Sequence, residues 1–390
     1  MGTRAVMIVA IVVVGLTGLG LATAEPAGAS PGSAKTAIVA LGDSFISGEG
    51  GRWLGNGSDP LSTRSGTDRA AFDCGGWGGC RYDPHRVYGE SEDSGCHRSD
   101  VAPIRSAPVP VTEAVNLACS GARVRNLWPA ATGGEWLRGE PPQADQLSAV
   151  ARRDDVRLIV VTAGANDVDF GSIVARCALD WARSSPQRPR RCRRRAQAEI
   201  AAALPAMRSG LERALRGIGA TMAGTGYRRR DYRLVVMGYA SPFPDGRLIR
   251  YPEDGWSRLR RGGCPLWNAD ADWAARRATP AIAAAMSVAA ERGGAEFLDL
   301  RHALDGHQLC DRRARRVGPD GPNPATAEWV RRLGFAPGAL RESLHPNAYG
   351  QRAIGVCITL HYAAQPPGDF ACHATPGHSY EDGMRLERLG

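Results

Sequence analysis

Short apolar runs separated by longer mixed stretches run the length of this chain. Thr36–Leu41, Val156–Thr162, Tyr232–Gly238 and Ala295–Leu300 are rich in Val, Ile, Leu, Ala and Phe, as strands buried on both faces of a parallel sheet are. Pro108–Leu117 is a weaker strand candidate, because Pro110 lacks the donor a ladder needs. Helical periodicity appears over Arg194–Thr221, Ala269–Glu291 and Asn347–Ala363. Strand–helix alternation of this kind predicts an α/β fold, a five-stranded parallel sheet covered on both faces. Gly51–Asp100 reads as a loop insertion and Gln365–Gly390 as a polar tail. Neither has the apolar content for its own core. One domain is therefore expected over 30–364, with insertion 51–100 and tail 365–390 as decoration.

The N-terminus follows another pattern. Arg4 precedes an apolar run from Ala5 to Ala22, and two small-residue sites follow it. Residues 1–29 are expected to be a secretory signal, cleaved after Ala24 or Ala29. The length of the run leaves an uncleaved anchor as the alternative. Export makes the ten cysteines legible as disulfides. Short loops cost least to close, which favours sequential pairing: Cys74–Cys80, Cys96–Cys119, Cys177–Cys192, Cys264–Cys310 and Cys357–Cys372. The even count disfavours a cysteine nucleophile or metal site. Cys372, His373 and His378 superficially resemble metal ligands and read instead as a disulfide in a polar segment. No metal and no cofactor is expected.

Composition adds limits. With 390 residues, 43% apolar and 23% charged, the chain is neither disordered throughout nor a multi-span membrane protein. The net charge of +9 comes from arginine, since Lys35 is the sole lysine. Runs at Arg188–Arg195 and Arg228–Arg230 lack interleaved aromatic residues, so nucleic acid is not an expected partner. They read as a solvated face, with room for weak attraction to an anionic membrane or cell wall.

The candidate chemistry lies where strands end. The first strand runs into Gly42-Asp43-Ser44-Phe45-Ile46-Ser47-Gly48-Glu49-Gly50, and ligands of parallel α/β sheets bind at the carboxyl ends of strands. A serine hydroxyl needs a base, and His345 precedes the last helix within Ser343-Leu344-His345-Pro346. Between them lie Ala118-Cys119-Ser120-Gly121-Ala122 and Gly164-Ala165-Asn166-Asp167, the latter after the strongest strand. Alone, each has a plain reading, as a turn, a cap or a loop.

Together and in this order, the four blocks resemble the SGNH (GDSL-type) superfamily of serine esterases and lipases. The extended first block and the cysteines resemble its secreted actinobacterial branch. The resemblance implies a three-layer α/β/α, flavodoxin-like domain without cofactor, whose partner is an ester or lipid substrate. A monomer is expected. It implies Ser44 as nucleophile and His345 as general base. It also implies an oxyanion hole of the Ser44 and Gly121 N–H groups and the Asn166 amide. Asp43 and Asp167 are expected to hold the loops. The family places Asp three residues before the histidine, where this chain has Glu342. Glu342 is a candidate to orient His345, with the main-chain carbonyls of Glu342 or Ser343 as competitors. Fatty acyl ester hydrolysis is the expected activity. A carbohydrate O-acetylesterase with the same machinery, or a non-catalytic binder of anionic surface polymers, is the alternative. Trp53, Trp77 and Tyr82 receive no role.

Overall fold

The apolar runs become the strands of one sheet. The computed structural model describes residues 35–57, 66–74, 79–334 and 339–390; the signal segment 1–29 and Trp77 lie outside them. The strands are β1 (Thr36–Gly42), β2 (Glu113–Asn116), β3 (Asp155–Thr162), β4 (Arg233–Met237), β5 (Glu296–His302), β6 (Phe370–Ala374) and β7 (Met384–Arg388). Their order is β2-β1-β3-β4-β5-β6-β7. Neighbours run parallel throughout, except that β7 is antiparallel to β6. Val39 lies opposite Val115 on one side and Ile159 on the other, so β1 is paired on both sides, and Ala37 to Leu41 are fully buried.

Helices cover the sheet as a three-layer α/β/α sandwich: α1 (Ser44–Ser47), α2 (Gln143–Arg153), α3 (Phe170–Ala182), α4 (Arg193–Gly224), α5 (Thr279–Arg292) and α6 (Ala348–Ala363). Helix α4 packs on α2 and α5, while α6 packs on β5, β6 and β7. Among the described residues no helix is long and apolar enough to cross a membrane.

The sheet has two strands more than the five expected, and both come from the segment read as a polar tail. Met384–Arg388 alternates apolar and charged positions, as a strand exposed on one face does, and its charges suit a sheet edge. The Cys357–Cys372 disulfide fastens β6 to α6. The other bonds join Cys74 to Cys80, Cys96 to Cys119, Cys177 to Cys192 and Cys264 to Cys310. Five disulfides fit an oxidising compartment.

Candidate active site

Strand β1 reaches its end at Gly42, whose φ is +143. A Cβ there would stand 1.9 Å from the Thr162 carbonyl oxygen, so only glycine lets the chain turn so close to β3. Gln143 reinforces the turn, accepting from the Gly42 N–H at 2.7 Å and donating to its carbonyl at 2.9 Å. Asp43 then caps α1, accepting the Phe45 N–H at 3.0 Å. Ser44 is the first helical residue, and its hydroxyl donates to His345 Nε2 at 2.7 Å. His345 Nδ1 donates to the Ser343 carbonyl at 3.1 Å. A carbonyl only accepts, so this bond puts the proton on Nδ1 and leaves Nε2 free to take the serine proton. Burial pushes the imidazole below its ordinary pKa, opposed by the Glu49 carboxylate and the Ser343 carbonyl.

Glu342 does not fill the position its spacing suggested. Its carboxylate accepts from Trp53 Nε1 at 2.7 Å and from the Tyr88 hydroxyl at 3.5 Å, and makes no bond to His345. Leu344, with a φ of +63, reverses the chain between the two residues and turns the Ser343 carbonyl toward the ring. The acceptor at His345 Nδ1 is therefore a backbone carbonyl, the competitor left open above. Burial pushes Glu342 above the ordinary carboxyl range, against the pull of Arg52, Trp53 and Arg331. Arg331 stacks over the Trp53 ring at 3.7 Å. Trp53 thus has a structural partner that composition did not disclose. Glu342→Gln keeps an acceptor for Trp53, so kcat is expected to stay within a few-fold of the parent in an ester assay. An orienting carboxylate would instead cost on the order of 10⁴-fold.

Gly121 sits at the left-handed position (φ +89) of a turn closed by Ala122 N–H to Cys119 O at 3.0 Å. Cys119 N–H donates to Gly42 O at 3.0 Å, and the Cys96–Cys119 disulfide ties the turn to the insertion. Among the described residues the N–H groups of Ser44 and Gly121 have no acceptor. Asn166 Nδ2 donates one proton to Ala122 O at 2.8 Å, which fixes the amide and leaves its second N–H unassigned. Ser44, Gly121 and Asn166 line one cavity of about 540 Å³, with His345. This geometry can receive a developing oxyanion beside an activated hydroxyl.

Two residues outside the motifs hold these loops together. The Tyr239 hydroxyl donates to Asp43 at 2.5 Å and accepts the Ala165 N–H at 3.0 Å, bridging the serine turn to the asparagine turn. Its ring meets Phe45 edge-on at 5.3 Å. Burial pushes Asp43 up to about 7, against the bonds from Tyr239 and Phe45. Asp167 accepts the Val124 N–H at 3.1 Å, linking its turn to the Gly121 segment. Gln143, at the start of α2, and Tyr239, two residues past the end of β4, carry no local sequence signal; only the place of Tyr239 at a strand end could have singled it out.

A family model described as GDSL-like lipase/acylhydrolase matches residues 38–358. The chain belongs to that family. It is a carboxylic ester hydrolase. Among solved structures, this GDSL-like hydrolase is similar to an extracellular lipase from Streptomyces rimosus, with 21% identity and a TM-score of 0.49, over 84% of this chain and 100% of that one. It is also similar to a phospholipase A1 from Streptomyces albidoflavus, with 19% identity and a TM-score of 0.43, over 85% and 100%. A carbohydrate acetylesterase from Sinorhizobium meliloti is similar at 11% identity and a TM-score of 0.33, over 83% and 97%. No curated protein sequence matches the chain. Within the matched range of this GDSL-like hydrolase fall all four blocks around the cavity.

Proposed function

We propose that the protein is an exported serine esterase or lipase that hydrolyses fatty acyl esters through an acyl-enzyme on Ser44. The observation that carries this reading is the 2.7 Å contact of Ser44 Oγ with His345 Nε2 in the wall of a cavity with an apolar side. Export is supported by the five disulfides and by the leader-like segment 1–29.

In the first half-reaction His345 Nε2 takes the Ser44 proton as Oγ bonds to the ester carbonyl carbon. The carbonyl electrons move onto oxygen, where the N–H groups of Ser44 and Gly121 and the Asn166 amide receive them. As the carbonyl re-forms, the alcohol oxygen leaves with the proton held on Nε2. Water then attacks the acyl-enzyme, giving His345 its proton. Collapse returns that proton to Ser44 and releases the acid.

Phe170, Val174, Ile282 and Leu333 give the cavity an acyl-binding side. Each buried methylene contributes about 0.8 kcal/mol. With p-nitrophenyl esters, kcat/KM for octanoate is expected to exceed that for acetate by at least about tenfold. The reverse order would favour a small-ester or sugar acetylesterase. A burst of one nitrophenol per enzyme at the start of turnover would mark the acyl-enzyme.

A further inference from the structure

One buried carboxylate near the site takes no part in the proton transfers of Ser44 and His345. Glu49 follows the nucleophile within its turn and is fully buried. Its N–H donates to Ser44 O at 3.1 Å, closing that turn. The next residue, Gly50 (φ +86), lies against the base, since a Cβ there would stand 3.2 Å from His345 Cβ. The Glu49 side chain reaches a third segment. The Ser120 hydroxyl, beside Gly121, donates to Oε2 at 2.5 Å. His97 Nδ1 donates to the same carboxylate at 2.8 Å. The serine turn, the base and the oxyanion turn thus meet at one acidic residue.

A buried carboxylate without partners would be costly, and this one is held as an anion. Burial pushes the Glu49 carboxyl up, but His97, His345 and Ser120 outweigh it and bring it below its ordinary range. His97 is fixed in turn. Its ring stacks on Tyr88 at 4.9 Å, and Nε2 faces Glu92 at 3.6 Å. Burial lowers the His97 pKa, yet Glu49 and Glu92 prevail, against Arg341, and lift it above the usual 6.5. The other acids close by are answered elsewhere. Glu342 is bonded to Trp53 and faces the charges of Arg52 and Arg331. Asp43 is turned to Tyr239 and the Phe45 N–H. His345 Nδ1 meets a neutral carbonyl. The imidazolium that forms when Ser44 gives up its proton nevertheless gains from a countercharge.

We propose that Glu49 is a positioning residue that supplies this countercharge through space, and that His97 sets how much of it reaches His345. The same carboxylate braces the Gly121 turn through Ser120. A negative charge favours imidazolium over imidazole, which makes His345 the stronger base. A protonated His97 cancels part of that charge. The inference rests on the ester-hydrolase reading above.

The test is the acid limb of kcat/KM for p-nitrophenyl octanoate in variants of the two residues. Glu49→Gln keeps the shape and an acceptor while removing the charge. His345 then loses its proton at lower pH, so the limb is expected to move down, with kcat roughly tenfold lower. His97→Gln keeps an N–H for Glu49 and removes the opposing cation, so the limb is expected to move up. Packing damage would lower the rate without moving the limb in opposite directions. Glu49→Asp keeps the charge and should leave the limb near that of the parent; a fall like that of Glu49→Gln would overturn the proposal. So would a limb that stays in place in either Gln variant, or moves the same way in both. Should Glu49→Gln not fold, His97→Gln decides alone, and an unmoved or lowered limb sinks the idea. If no ester turned over, NMR titration of the His345 ring in the same proteins separates the two claims. A lower His345 pKa in Glu49→Gln would keep the charge coupling while the hydrolase reading fell, and an equal one would remove the coupling.

Discussion

Ser44→Ala is expected to lower kcat for an octanoyl ester on the order of 10⁵- to 10⁶-fold, with His345→Ala close behind and the double variant no worse than either. The non-additivity follows from the mechanism. Without Oγ there is no atom for Nε2 to deprotonate, and without Nε2 the hydroxyl stays a weak nucleophile. The two residues form one unit, joined at 2.7 Å. Residual hydrolysis would come from the oxyanion donors and from binding alone. If the Ser44→Ala rate matched the parent, the covalent mechanism would be lost. The pH profile supplies a further check on the base. His345 must be neutral to act, and burial holds its pKa below the usual 6.5. Activity is lost as pH falls through that lowered pKa, so the acid limb of kcat/KM is expected to centre below 6.5. A limb centred above that value would mean that the imidazolium is favoured in the site.

The carbonyl under His345 shows why part of this site is legible in sequence and part is not. Strands β1 and β3 are legible because burial on both faces writes a continuous apolar run. The serine, glycine and asparagine turns are legible because each needs particular residues within a few positions of one another. Glu342 misleads for the same reason that spacing helps elsewhere. Three residues before a histidine is a distance along the chain, and the left-handed Leu344 changes where that distance points. Tyr239 and Gln143 act on segments about 100 to 200 residues away, separations of 196 and 101. No window of sequence contains both ends of such a bond. Strands β6 and β7 are not legible because β6 is only five residues long and interrupted by His373, while β7, at the sheet edge, needs little apolar content and carries Arg385 and Glu387. Of the arginine runs legible in the sequence, Arg195 pairs with Asp180 and Arg228 with Asp231, contacts that no charge count discloses.

Asn166→Ala should cost about 10²- to 10³-fold in kcat, or roughly 3–4 kcal/mol of transition-state stabilisation, with KM little changed. The amide is held by its bond to Ala122 O, so its remaining N–H is fixed before substrate arrives. A donor of that kind costs no reorganisation when charge develops, and the ground-state carbonyl, being neutral, gains less from it. The loss should therefore appear in kcat. Asn166→Asp is expected to be worse, since a carboxylate would meet the oxyanion with like charge and bring no N–H. Folding is not the cause in either variant if the melting transitions stay near that of the parent, as the half-buried position of Asn166 allows. Steady-state kinetics on one ester decide the point. A raised KM with unchanged kcat would mean that Asn166 holds substrate and transition state equally, and the oxyanion hole would then consist of the Ser44 and Gly121 N–H groups alone.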